Sequence, residues 1–348
     1  MSTVLRLLTM FLVALVAFGG GSGIVMAQGT PEGASPAASP AAESTTCLPE
    51  SIPEKDSYLI GMSQANEGEP WRQAMNDQIE AAAAEHPELE VVFADAAQDN
   101  ATQVADVEGF LQQGIDLLII SPNEAAPLTD VVAQACAEGV PVIVLDRRVN
   151  GEEYTMWIGA DNTLIGQMAG EYTASWCEEE NHDPCLIGEL RGLEGSTPAQ
   201  ERGDGFRLGI ESSSAIEIAA SQNADWLREL AIPASQAMFQ ANPDLNVIYA
   251  HNDPMAEAAI ISAENQGLDP ESILFIGIDG LPTPDGGLRS VADGRLDVTY
   301  VYPTGGQEAI DWTVNILNGE TPPREVVLET IEVTEENAQD VLEQFGAE

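Results

Sequence analysis

The chain has 348 residues and carries 58 acidic against 12 basic side chains, a formal net charge of −46. A field of that sign and size repels phosphate backbones and anionic lipid headgroups, so DNA, RNA and acidic membrane surfaces are excluded as partners. It suits a neutral ligand and solubility in an external medium, and the length leaves room for two domains of ordinary size.

Residues 1–27 read as an export signal: Arg6 precedes an apolar run at 7–18, and Val25, Met26 and Ala27 supply the small-residue exit. The run is shorter than the roughly 20 residues of a membrane span. An uncleaved signal that tethers the protein is the alternative. Residues 28–56 begin as a Pro/Ala/Ser/Gly tract with little to bury, which predicts an extended linker.

From residue 57 the pattern alternates. Apolar runs at 58–63, 89–94, 115–121, 141–146 and 154–160 predict buried parallel strands, and amphipathic segments at 71–85, 101–113 and 127–138 predict the helices between them. A second set follows: helix 162–179, strand 185–191, helix 198–211, strand 215–221, helix 225–241, strand 246–251, helix 254–266 and strand 273–279. Then come a short helix near 284–292, strand 297–302, helix 305–317, strand 324–333 and a last helix at 335–345. Two runs of strand–helix units predict an α/β protein of two Rossmann-like, doubly wound lobes joined by a hinge. The first lobe is expected over 57–161 with 302–323, and the second over 162–301 with 324–348.

The cysteines are four. In an exported protein an even number suggests disulfides. Cys177 and Cys185 flank a polar loop and are spaced for a local bridge, which leaves Cys47 with Cys136 by subtraction. None of these spacings fits zinc, and His86, His182 and His251 show no metal pattern. Metalloprotease, hydrolase-elbow and P-loop motifs are also absent, so no enzyme, metal or cofactor is expected.

Open α/β sheets bind ligands beyond the carboxyl ends of their strands. The residues at those ends are Trp71 and Arg72, Asp146 and Arg147, Arg202, Trp226, Asn252 and Asp279. A sugar presents hydroxyls that both donate and accept, and these side chains answer them: Asp accepts, Arg donates in a fixed fork, Asn does both. Trp71 and Trp226 come from different sets of elements, so they are placed to sandwich the apolar face of one ring. Of the two residues before the helix at 254–266, Asp253 is expected to cap it and Asn252 to remain for ligand. His251 is expected to be structural.

The fragments PWR, LLIISP, PVIVLDR, ERGDGF, SQNADW, YAHNDPMA and FIGIDG, in this order at strand ends, resemble the type I periplasmic sugar-binding proteins of the ribose- and galactose-binding group. The resemblance covers about residues 57–333 and is nearest to the group's galactofuranose-binding type. It implies that Trp71 and Trp226 pack on the sugar and that Arg72, Asp146, Arg147, Arg202, Asn252 and Asp279 bind its hydroxyls. One position departs: where ribose-type members have Gln, this chain has Val301, between Tyr300 and Tyr302. The implied role is capture of a monosaccharide for the permease of an ABC importer, by a monomer in the periplasm or outside the cell. A ligand-presenting sensor for a membrane receptor or kinase and a secreted glycosidase are the alternatives. A gene regulator is excluded by the acidity and by the lack of a helix-turn-helix. Which sugar is bound stays open.

Overall fold

The structure is a computed structural model that describes residues 47–347. The expected export signal and residues 28–46 lie outside the described residues. Strand–helix units run in chain order through β1 (Tyr58–Gln64), α1 (Pro70–Ala83), β2 (Leu89–Asp95), α2 (Asn100–Gln113), β3 (Leu117–Ile120), α3 (Ala125–Ala137), β4 (Val142–Leu145) and β5 (Met156–Ala160). The second run is α4 (Asn162–Glu179), β6 (Cys185–Arg191), α5 (Thr197–Ile210), β7 (Ile216–Asn223), α6 (Arg228–Ala241), β8 (Val247–Ala250), α7 (Asp253–Gln266) and β9 (Leu274–Ile276). The chain ends through α8 (Gly287–Ala292), β10 (Val298–Val301), α9 (Gly306–Leu317), β11 (Glu325–Leu328), β12 (Ile331–Thr334) and α10 (Ala338–Gln344).

These strands form two six-stranded sheets, in the orders β11-β5-β4-β3-β1-β2 and β12-β10-β9-β8-β6-β7. All neighbours are parallel except β10 and β12. The central strands β3, β4 and β8 are buried at every residue, as strands covered by helices on both faces must be. Two α/β lobes result, and the chain passes between them three times: from β5 to α4, from β10 to α9 and from β11 to β12. All three passages lie at the β11/β5 and β12/β10 edges, so the hinge is there. The ends of β2 and β7 lie at the opposite edges, farthest from it.

Two expectations are corrected. The run 324–333 is two strands rather than one: β11 pairs parallel with β5 in the first sheet, and β12 pairs antiparallel with β10 in the second. Residues 325–328 therefore belong to the first lobe. The pairing partner changes inside one apolar stretch, and no glycine or proline marks the change. The predicted linker also stops short of residue 56. Cys47 is buried and bonded to Cys136 at the end of α3, and Lys55 forms an ion pair with Asp116. The second disulfide joins Cys177 to Cys185.

One packing feature positions the site directly. Helices α4 and α5 touch backbone to backbone: a Cβ on Gly166 would lie 2.2 Å from the Arg202 carbonyl oxygen, and one on Gly209 would lie 2.3 Å from that of Gln167. This approach brings Arg202 against Asn162 at the start of α4, where its Nε donates to Asn162 Oδ1 at 2.8 Å.

Candidate functional site

Between the lobes, eleven residues surround a small space: Glu69, Trp71, Arg72, Asp146, Arg147, Pro198, Arg202, Trp226, Asn252, Asp279 and Tyr302. All eight residues singled out from the sequence are among them. Glu69, Pro198 and Tyr302 were not foreseen.

The first lobe supplies a charged floor. Pro70 opens α1, which suits its fixed φ and missing N–H, and the next residues, Trp71 and Arg72, point inward from the first turn. Arg72 Nη2 donates to Asp146 Oδ2 at 2.7 Å, and its Nη1 donates to Ser121 and Gln64. Arg147 donates from Nη1 to the Asn123 carbonyl at 2.8 Å, and its Nε lies 3.8 Å from Asp146. Arg72, Arg147 and Asp146 are all at most 4 % exposed. Burial opposes ionisation of Asp146, but Arg72 and Arg147 outweigh it and hold the carboxyl below its usual range. Burial, with Arg72 nearby, lowers the Arg147 guanidinium to about 10.

The second lobe supplies the facing wall. Arg202 Nη1 donates to the His251 carbonyl, and the guanidinium sits 4.5 Å from the Tyr302 ring and 5.4 Å from the Trp226 ring. Beneath Trp226, the buried His251 ring faces Glu189 at 3.3 Å, and Arg207 and Ser221 also bond that carboxylate. His251 thus holds Arg202 through its backbone and fills the space under Trp226.

Tyr302 closes the pocket at the hinge. Its hydroxyl donates to Asp146 Oδ1 at 2.6 Å and accepts from Asn162 Nδ2 at 3.2 Å, and its carbonyl accepts from Trp71 Nε1 at 2.7 Å. It stands one residue beyond Val301, which is buried in the second lobe's core. The side chains alternate, so the residue after the expected position faces the cleft.

The helix cap is the reverse of the expectation. Asn252 is the N-cap of α7, with Oδ1 accepting from the Met255 N–H at 3.1 Å, while its Nδ2 donates to the Trp226 carbonyl. Its extended backbone leaves it outside the helix. Asp253 is the first helical residue and instead accepts from the Gly280 N–H and the Thr299 hydroxyl at 2.8 and 2.7 Å. Asn252 still lines the pocket.

Two further features mark the cleft. Non-glycine residues with left-handed backbones gather at it: Asp146, Trp226 and Asp279 in the pocket, and Ala97, Gln98 and Asp225 on the lips. Each such residue costs on the order of 1–3 kcal/mol and is typical of binding sites. Two buried donors lining the pocket, Trp226 Nε1 and Arg72 Nε, also have no hydrogen-bond partner in the protein.

Asp253 and Asp279 titrate in the opposite sense to Asp146. Burial raises Asp253 to about 6, and burial together with Asp253 raises Asp279 well above the usual carboxylate range. Between about pH 4 and 6 the folded form keeps protons that the unfolded chain has released, so stability falls as pH rises through that window. The Asp146 contribution is present above about pH 4 and is lost as pH falls through its lowered folded value. Burial lowers His251, which works in the opposite sense over the same interval, so the test isolates Asp253: the midpoint at about pH 5 relative to that at about pH 7.5 is expected to be lower in Asp253→Asn than in the wild type, and an unchanged difference would contradict the assignment.

The periplasmic binding protein domain family matches residues 60–321. This chain belongs to the type I periplasmic sugar-binding proteins. The ribose import binding protein of Bacillus subtilis (strain 168) is 29 % identical over 78 % of this chain and 85 % of its own. The galactofuranose-binding protein of Escherichia coli (strain K12) is 30 % identical over 77 % of this chain and 85 % of its own. Among solved structures, the fructose-binding periplasmic domain of a hybrid two-component system is 38 % identical and superposes with a TM-score of 0.79, covering 83 % of this chain and 94 % of that one. Like these relatives, this type I periplasmic sugar-binding protein is a binding protein and not an enzyme, and membership of the family implies a location outside the cytoplasmic membrane. Among the described residues, none of its helices is long and apolar enough to cross a membrane, and no cluster of side chains is suited to a metal ion.

Proposed function

We propose that this protein captures one monosaccharide, a furanose or a small hexose, in the interlobe cleft and delivers it to the membrane permease of an ABC importer. The observation that carries the reading is the pocket itself. Two tryptophans, three arginines and three acids converge on the space between the lobes, with Trp226 Nε1 and Arg72 Nε left to donate. Charge-assisted hydrogen bonds to hydroxyls offset the dehydration of a polyol, and indole faces receive the ring's C–H surface. The ligand spans both lobes only when they are together, so binding draws an open–closed equilibrium towards the closed form. The galactofuranose- and ribose-binding relatives support this ligand class and the transport role.

A second reading is favoured by one comparison. The fructose-binding relative is the sensing domain of a hybrid two-component system, so the same closed form is suited to being read by a membrane receptor. A permease encoded beside this chain supports transport; a membrane kinase there supports sensing.

A thermal-shift panel of D-ribose, L-arabinose, D-fructose and D-galactose on residues 28–348 tests the ligand class. A sugar at about 100 times its dissociation constant adds roughly 2.7 kcal/mol. One sugar is expected to raise the midpoint clearly above the others; no shift with any of them would count against a monosaccharide.

A further inference from the structure

We infer that closure is secured by a latch away from the sugar, in which the second lobe caps the first helix turn of α3. The N-cap residue of this helix, Glu124, makes no side-chain capping bond, and Pro127 offers no N–H in the first turn. The Ala125 N–H is taken instead by the Gly195 carbonyl at 3.0 Å, from the loop that joins β6 to α5 in the other lobe. Helix N-termini leave N–H groups that need an acceptor, and the first turn carries partial positive charge, so a carbonyl delivered there is a favourable partner. When the lobes part, water replaces it.

Gly195 is the residue that permits this approach. Its backbone is not among those with positive φ, so nothing in its own conformation calls for glycine. The demand comes from across the cleft. A Cβ at Gly195 would lie 1.8, 2.5 and 2.6 Å from Oε2, Cδ and Cγ of Glu124. Cγ is not the free end of a side chain, and the Glu124 carboxylate is held by Asn100 Nδ2. Two more contacts between the lobes support the closed form. Gln98 Nε2 donates to the Asp225 carbonyl at 3.4 Å, between the loops after β2 and β7, and the Arg148 N–H donates to Thr197 Oγ1 at 3.0 Å. None of Gly195, Glu124 and Ala125 lines the sugar pocket. The latch therefore sets affinity through the closed population and not through ligand contacts, because a ligand's apparent affinity scales with the fraction of protein competent to hold it.

The proposal rests on the sugar reading of the cleft. Its test compares the wild type, Gly195→Ala, and Gly195→Ala with Glu124→Ala, each titrated with D-ribose, L-arabinose, D-fructose and D-galactose. The sugar that the wild type binds is expected to bind Gly195→Ala about 5- to 10-fold more weakly, with the sugar-free thermal midpoint unchanged. The double variant, which removes all three clashing atoms, is expected to recover most of the loss. Equal affinity in Gly195→Ala, or a loss that Glu124→Ala does not restore, would overturn the latch alone. A wild type that binds none of the four would overturn the sugar reading and the latch with it.

Discussion

Replacing Asp146 by alanine is expected to lower folding stability by about 3–5 kcal/mol and to abolish sugar binding. The carboxylate balances Arg72 and Arg147, each 2 % exposed, and also accepts from the Tyr302 hydroxyl. Removing one member of a buried ion pair leaves the other charge without compensation, the costly case for such pairs. Arg72, Arg147 and Asp146 all belong to the first lobe, so the ion pairs themselves do not depend on how the lobes meet. Urea denaturation of the sugar-free protein measures it. A variant as stable as the wild type would show that the arginines are solvated by other means and that the floor of the site is wrongly assigned.

Replacing Arg202 by methionine is expected to act differently: sugar affinity falls about 10- to 150-fold, while stability falls by only about 1–3 kcal/mol, as the buried Asn162 Oδ1 and His251 carbonyl lose their donor. The side chain is aimed by Asn162 at Nε and by the His251 carbonyl at Nη1, which leaves Nη2 for the ligand. A hydrogen bond to a charged group contributes about 1.5–3 kcal/mol, and each 1.4 kcal/mol is tenfold in affinity. Methionine keeps the length of the apolar stem beside Trp226 and Tyr302. Wild-type affinity in this variant would remove Arg202 from the site.

Most of the pocket could be read from the sequence because doubly wound sheets put their loops at strand carboxyl ends, and unusual residues stand out there. Asp146-Arg147 closes a run of five apolar residues, and Trp226 follows a polar turn. What escaped has physical reasons. Glu69 looked like one acid among 58. Tyr302 was screened by the comparison of position 301 with a glutamine, although in an extended segment one step along reverses the face. Asn252 and Asp253 both suit an N-cap, and only the extended backbone of Asn252 distinguishes them. The passage of β11 and β12 from sheet to sheet left no local mark, because both pieces are equally good strands. Interlobe contacts such as Ala125 to Gly195 were beyond reach, since they depend on how two lobes meet and not on either lobe's own pattern.

The central claim is reversible capture of one sugar in the cleft. Calorimetric titration of residues 28–348 with the sugar that gives the largest thermal shift, followed by recovery of that sugar, tests it most directly. The account predicts one sugar bound per chain and the same sugar recovered unchanged. A chemically altered product, or a stoichiometry other than one, would contradict it.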